Sequence, residues 1–382
     1  MRFRYSANDQ GKLVKKAVVY TFDEHKIKFD DVDSHAVQIV ERLTANGYES
    51  YIVGGAVRDL LLGKKPKDFD IVTAANPSRI RKIFRNSRII GNRFRLVHVY
   101  FGAKIYEVST FRSIKDGPTG NTFGAVEDDV LRRDFTLNAL FYDPSRQIVV
   151  DFVGGMKDIK AKRIRPIIPL ARIFIDDPVR MIRAVKYGAA TGFKLPLSLH
   201  WKIKQQSSLL AAVSPSRLTE EIFKIIHSTQ AGCITDELDS VGLYRYLQPQ
   251  AADLFITKPG YREKYIKSLN ALNTENFKNL PGETMTALIR DYLEDNADWH
   301  GKDDQTALSL SERYKTVFMT ARKFVMPMNP PRIELDHAVK LLFAEHGVAI
   351  KRGRYHAKTA KDPQQPADQQ QKPEPKTRKK KA

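Results

Sequence analysis

Cysteine occurs once in this 382-residue chain, at Cys233. A disulfide framework within the chain and a zinc cluster built from thiolates are therefore excluded, and the lone thiol reads as a spectator. No apolar run approaches the roughly 18 residues needed to cross a bilayer. The basic start, MRFRYSANDQGKLVKK, lacks the apolar stretch of a secretory leader, so a cytoplasmic location is the expectation. The histidines, His98 and His200 among them, show no metal-ligand spacing. No internal repeat recurs at a fixed period, which argues against a solenoid. Negative charge is the other shortage. Asp and Glu number 44 against 64 Lys and Arg, and the net charge of +20 suits a polyanionic partner such as RNA, DNA or an anionic membrane surface.

With 42% hydrophobic residues the chain can bury a substantial core, and its length allows two or three domains. Residues 1–34 are weakly patterned apart from the strand-like AVVYTF and read as an extension of uncertain order. From His35 the pattern sharpens. HAVQIVERLTANGY repeats apolar residues at helical spacing and stops at Asn46–Gly47, an expected helix end. SYIVGG reads as strand, VRDLLLG as helix, DFDIVT as strand and PSRIRKIFRN as helix. LVHVYFG and KIYEVSTF are two further strands, followed by a loop rich in Gly, Asp and Thr over about 114–127. Such alternation predicts a small mixed α/β head built round one sheet over 35–165. Beyond about 170 the patterning becomes helical, with DDPVRMIRAVKYGAATG and SPSRLTEEIFKIIHS; Trp201 falls in an apolar-periodic segment and reads as core. We expect a helical neck over 166–230, a helical body over 231–349 and a basic tail over 350–382, too poor in apolar residues to fold alone.

Chemistry concentrates in a few stretches. In KPKDFDIV, Asp68 and Asp70 occupy alternate positions of an expected strand and so share a face, while Phe69 and Ile71 pack inward. Two adjacent carboxylates repel unless cations neutralise them. Mg2+ does so while keeping positions for water and phosphate oxygens, and two such ions roughly 3.5–4 Å apart serve nucleotidyl transfer. A DxD alone is more often a solvated turn. Its neighbours change the reading. Gly54 and Gly55 stand between a strand and a helix, where missing side chains let backbone N–H groups approach a triphosphate, and Arg58 adds charge one turn later. LRRDFTLNAL brings Arg132, Arg133 and Asp134. IDDPVRMIRAV brings Asp176, Asp177, Arg180 and Arg183, with Asp177 and Arg180 three apart, as on one helix face.

GGAVRDLLLG, DFD, RRDFT and DDPVRMIRA, in this order, resemble the class II tRNA nucleotidyltransferase and bacterial poly(A) polymerase family of the polymerase-β-like superfamily. The likeness covers roughly residues 50–230, including PSRLTEEIFKII. It implies an α+β fold, with a nucleotidyltransferase head holding two Mg2+ ions at Asp68 and Asp70, phosphate contacts from Gly54, Gly55, Arg58 and Arg133, and a helical neck reading the base through Asp177, Arg180 and Arg183. For a third catalytic carboxylate the family position is Asp134, and Glu107 on KIYEVSTF competes with it. A carboxylate beside a guanidinium suits the amino group and ring nitrogen of either adenine or cytosine. SRIIGNRFRLVHVYFG, NTFGAVEDDVLRRDFT and the lysine-rich tail resemble the poly(A) branch. Two positions depart from the family pattern. Asn92 stands where a basic residue is usual, and Asp176 stands where a glutamate begins the EDxxR motif.

The resulting expectation is a monomeric enzyme adding AMP from ATP to RNA 3′ ends, its tail reaching RNA or an RNA-degradation partner. A CCA-adding or A-adding tRNA nucleotidyltransferase is the alternative within the same chemistry. A catalytically silent RNA-binding protein is the alternative outside it.

Overall fold

All four side chains of SYIV, Ser50–Val53, are buried. A strand achieves this only when it is paired on both edges and covered on both faces. In the computed structural model, which describes residues 2–7, 12–91, 96–113, 122–272, 282–301 and 308–350, this segment is β3, inside a nine-stranded sheet. The spatial order is β1(Arg2–Ala7), β2(Leu13–Tyr20), β9(Ile148–Asp151), β8(Leu140–Asp143), β3, β4(Asp70–Thr73), β7(Lys104–Thr110), β6(Leu96–Phe101) and β5(Ser87–Ile90). All neighbours are antiparallel except β4 and β7, which run parallel. Sequence alternation therefore identifies the sheet but not its width. The hairpin of β1 and β2 lies within the supposed extension 1–34 and joins the sheet through β9, so the layer begins well before residue 35.

Period-2 alternation assigns each side chain to one of two faces. Ile52, Ile71, Val97, Val99 and Val108 pack beneath helices Ser34–Ala45, Gly55–Leu61 and Pro77–Ile83. Tyr51, Val53, Val72 and Phe141 pack on the other face, under Val126 and Val130 of helix Val126–Arg132. The helix starts follow side-chain capping. Asp33 accepts from the N–H groups of His35 and Ala36, and Asn76 accepts from that of Arg79, ahead of Pro77.

Helices Val179–Thr191, Leu197–Gln206 and Pro215–Ile226 form the neck, followed by a body of helices that ends with Arg332–Glu345. The α+β expectation holds for the described residues, and one apolar core runs from the head's first face through the neck to Phe343. The expected tail, Asn92 and positions 114–121 of the expected loop lie outside the described residues. The rest of that loop differs from expectation, because helix Val126–Arg132 begins inside it. Trp201 differs as well. It is 64% exposed, on the side of its helix opposite buried Leu199 and Ile203. None of the described helices is long and apolar enough to cross a membrane.

The neck is fastened by a buried carboxylate. Glu221, 2% exposed, accepts from Lys186 at 2.5 Å and from Arg183 at 3.1 Å, joining helix Pro215–Ile226 to helix Val179–Thr191. Burial alone would raise its pKa, but Lys186, Arg183 and Lys224 hold it down to about 2 from an ordinary 4.5. The stability this charge contributes is complete above pH 4.5 and is lost as pH falls toward 2. Glu221→Gln would leave buried Lys186 without a counterion and Arg183 with Asp134 alone. It should cost about 3 kcal/mol at pH 7 in denaturant unfolding, with the gap to wild type closing between pH 4.5 and 2. Equal midpoints at pH 7 would show that the neck does not depend on this carboxylate.

Candidate active site

The register of three strands builds the centre. Val53, at the end of β3, lies opposite Asp70, the first residue of β4. The chain then leaves β3 through Gly54, whose φ of 72° and ψ of −135° suit glycine alone. A Cβ placed on Gly54 would stand 3.7 Å from Asp70 Oδ2, so the bare backbone of the turn runs directly beside this carboxylate. On the other side, β4 pairs in parallel with β7, Ile71 opposite Val108. One residue earlier on each strand, Asp70 and Glu107 consequently share the face opposite Ile71 and Val108.

Asp68 is placed differently from expectation. The strand begins only at Asp70, and Asp68 lies exposed in the connection before it, so the doublet is not a pair of same-face strand residues. Proximity survives nonetheless. The carboxyl of Asp70 is pushed up to about 6, first by desolvation, then by the charge of Glu107, with Asp68 adding to the rise and Arg133 opposing it. Asp70 remains open to solvent, so this is desolvation by the walls of a cleft rather than by enclosure. Among the described residues no group of three or more Asp, Glu, His or Cys is placed to hold a metal on its own. The donor set is nevertheless that of a hard cation. Crowded carboxylate oxygens with one side open suit Mg2+, which keeps water and phosphate oxygens in its coordination sphere.

Two guanidiniums meet at Asn138. Arg58 donates to Asn138 Oδ1 at 2.9 Å, and Arg133 donates to the Asn138 backbone oxygen at 3.3 Å. Each is also held by a carboxylate, Arg58 by Asp59 at 2.8 Å and Arg133 by Asp129 at 2.9 Å. Held in this way, Arg133 still lowers the pKa of Asp70 against the larger upward effects of burial and Glu107. The sequence reading missed Asn138 and Asp129. Asp129 is visible in retrospect as the i,i+4 partner of Arg133. Asn138 lies inside the LRRDFTLNAL motif, but nothing in its spacing identifies it as a junction.

The neck residues form a second cluster. Asp177 lies between helices, followed by Pro178, and helix Val179–Thr191 begins after it. It therefore does not share a helix face with Arg180, contrary to the i,i+3 reading. Its carboxylate takes both Arg217 hydrogen bonds, at 2.9 and 3.0 Å, and the N–H of Val179 at 3.2 Å. Arg180 is 5% exposed and donates to the backbone oxygens of Ile173 and Arg132. Burial lowers its pKa, while Asp177 and Asp134 act in the opposite sense. Arg183 lies between Glu221 and Asp134, with 3.7 Å to Asp134 Oδ2. Asp134 also accepts from the N–H of Phe135 at 2.8 Å. Of the two candidates for a third carboxylate, Asp134 is thus drawn toward Arg183 and the neck, whereas Glu107 acts on Asp70. Glu107 is itself 3.5 Å from His98 and half exposed. Arg217, Glu221 and Lys224 were not singled out from sequence, although their i, i+4, i+7 spacing in PSRLTEEIFKII marks one face of a helix.

Head and neck are tied where the clusters face each other. Lys67, next to Asp68, donates to the His227 backbone oxygen at 2.9 Å. The Arg58 guanidinium carbon lies 5.5 Å from the ring centre of Tyr187, on helix Val179–Thr191. Lys224 on helix Pro215–Ile226 lowers the pKa of Asp70 across the intervening space. A cleft thus has carboxylates and a bare glycine turn on the head side, and a carboxylate with several cations on the neck side.

Comparison with known proteins finds two matched segments along the chain. Residues 50–165 match the family described as "Poly A polymerase head domain", and residues 192–255 match "Probable RNA and SrmB- binding site of polymerase A". The chain is 40% identical over 260 residues to poly(A) polymerase I of Escherichia coli O6:H1, covering 64% of this chain and 55% of that protein. It is 37% identical over 221 residues to the CC-adding tRNA nucleotidyltransferase of Halalkalibacterium halodurans, covering 57% and 55%. The chain thus spans little more than half the length of these relatives. Among solved structures it resembles the Bacillus stearothermophilus CCA-adding enzyme in complex with CTP, with a TM-score of 0.55 and 27% identity over 81% of this chain and 82% of that one. Matching head, matching RNA-binding segment and ordered motifs together fit the class II tRNA nucleotidyltransferase and poly(A) polymerase family.

Proposed function

We propose that the chain is a template-independent poly(A) polymerase that transfers AMP from ATP to an RNA 3′-hydroxyl and releases pyrophosphate. The observation that carries this reading is the placement of Asp70 against the Gly54 turn, with Arg58 and Arg133 converging on Asn138. Backbone N–H groups and guanidiniums can hold a triphosphate there, with its α-phosphorus directed toward the carboxylates. Two Mg2+ ions held by Asp68 and Asp70, with Glu107 contributing charge, would supply activation of the 3′-hydroxyl and neutralisation of the leaving pyrophosphate. The chain's own part is positional: Arg58 and Arg133 hold the phosphates in line and limit their motion. Asp177 accepts from the exocyclic amino group of the base, and Arg180 exchanges one of its long bonds to the Ile173 and Arg132 backbone oxygens for a bond to the ring nitrogen. Arg217 fixes the carboxylate that does the reading. Uracil and guanine present the opposite pattern and are disfavoured.

Adenine and cytosine satisfy that pair equally well, so a CCA-adding reading stands as the second one, favoured by the likeness to the CTP-bound structure. The SRIIGNRFRLVHVYFG segment and the higher identity to the poly(A) polymerase relatives support the first. Incubating the protein with labelled ATP or CTP, on an unstructured oligoribonucleotide and on a tRNA lacking its end, separates them. We expect long adenosine tracts on the oligonucleotide. CTP incorporation confined to tRNA would replace this proposal with the second.

Asp68→Asn with Asp70→Asn should abolish incorporation, and full activity in that double variant would remove the metal assignment. Folding should not suffer from loss of the Asp70 charge. Its folded pKa, about 6, lies above the ordinary 3.8, so ionised Asp70 opposes folding above pH 6. In chelator, Asp70→Asn should melt higher than wild type at pH 8, with the difference gone by about pH 4. A lower melting point at pH 8 would contradict the crowding of carboxylates.

A further inference from the structure

Between Pro178 and Thr219 the sequence contains no Asp or Glu, while it contains seven Lys or Arg. Four of these cations are already committed. Arg183 and Lys186 hold Glu221, Arg217 holds Asp177, and Arg180 is buried on backbone oxygens. The other three, Lys194, Lys202 and Lys204, flank or lie on helix Leu197–Gln206, and none of them has a carboxylate within ion-pair distance among the described residues. The same helix carries the most exposed apolar pair of the neck, Leu197 at 87% and Trp201 at 64%. Four residues apart, Leu197 and Trp201 share one face, and buried Leu199 and Ile203 anchor the opposite one.

An exposed indole on a rigid helix, beside an apolar side chain and within an acid-free, lysine-bearing segment, has the composition of a stacking platform for unpaired bases. A protein partner would meet the apolar pair equally well, but it would need acids to match the lysines. A nucleic-acid strand brings a phosphate with every base. We infer that Trp201, backed by Leu197, stacks an unpaired base of the RNA substrate while Lys194 and Lys204 contact the adjoining phosphates. This rests on the proposed RNA substrate and adds a contact on the neck outside the cleft residues described above. The sequence pattern hides it, because an aromatic at helical spacing ordinarily reads as core.

The two tryptophans provide the test. Trp299 is 7% exposed and stacks on His346 at 4.4 Å, so an RNA-induced change in indole emission reports on Trp201. Titrating the full chain, without ATP or Mg2+, with a short unstructured oligoribonucleotide should quench the emission. Trp201→Ala should bind on the order of tenfold more weakly, with an unchanged dependence of log K on log salt, since no ionic contact is lost. Trp201→Phe keeps a ring. It should bind within about twofold of wild type and show no quench. Lys204→Gln should instead shallow the salt slope by roughly 0.7. Because Trp201 is exposed, both Trp201 variants should keep the wild-type melting temperature. Unchanged emission at saturating RNA, or wild-type affinity in Trp201→Ala, overturns the inference and leaves the proposed function standing. Failure of the wild-type chain to bind RNA at any salt concentration overturns both.

Discussion

Crowding of negative charge at the start of β4 is the constraint that organises this protein. Asp70 enters the sheet beside Glu107 and just after Asp68, with the Gly54 turn against its Oδ2. Under the proposed function, cations and a triphosphate in the space that the glycine turn leaves free would offset this crowding. Much of the surrounding structure follows from holding that arrangement open. Val53 fixes the register, Asn138 gathers two guanidiniums, and Asp59 and Asp129 fix where those guanidiniums point.

The neck solves the converse problem, a surplus of buried positive charge. Lys186 is buried and Arg183 partly so, and Glu221 is the counterion they share. Because Arg183 also reaches toward Asp134, the RRDFT motif of the head and the PSRLTEE segment of the neck meet through one side chain. The two clusters thus share a mechanical connection. Lys67, bonded to the end of helix Pro215–Ile226, attaches the Asp68 connection to the same helix.

The sequence makes much of this legible, for identifiable reasons. Strands such as SYIV and KIYEVST stand out by alternation and β-branched content, and the motifs by residue types rarely found together. What stays hidden depends on register and on distant contacts. The strand content of AVVYTF is readable, but its pairing with β9, more than 120 residues away, is not. The i,i+3 spacing of Asp177 and Arg180 suggests a shared helix face, yet Pro178 starts a new helix and leaves Asp177 to Arg217. Asp68 and Asp70 alternate as strand residues do, but the connection from helix Gly55–Leu61 delays the strand until Asp70. Asp134 belongs to a recognisable motif, and only tertiary packing shows that Arg183 of the neck reaches it.

The hairpin of β1 and β2 has one more consequence. A sheet that ended at β9 would present hydrogen-bonding groups of the short, wholly apolar IVV run to any passing strand. With β2 paired there and β1 outside it, the outermost strand is RFRYSA, which carries Arg2 and Arg4. Charged residues at a sheet margin discourage edge-to-edge association between copies of the same molecule. The segment that reads in sequence as an extension of uncertain order thus acts as a selvedge for the sheet.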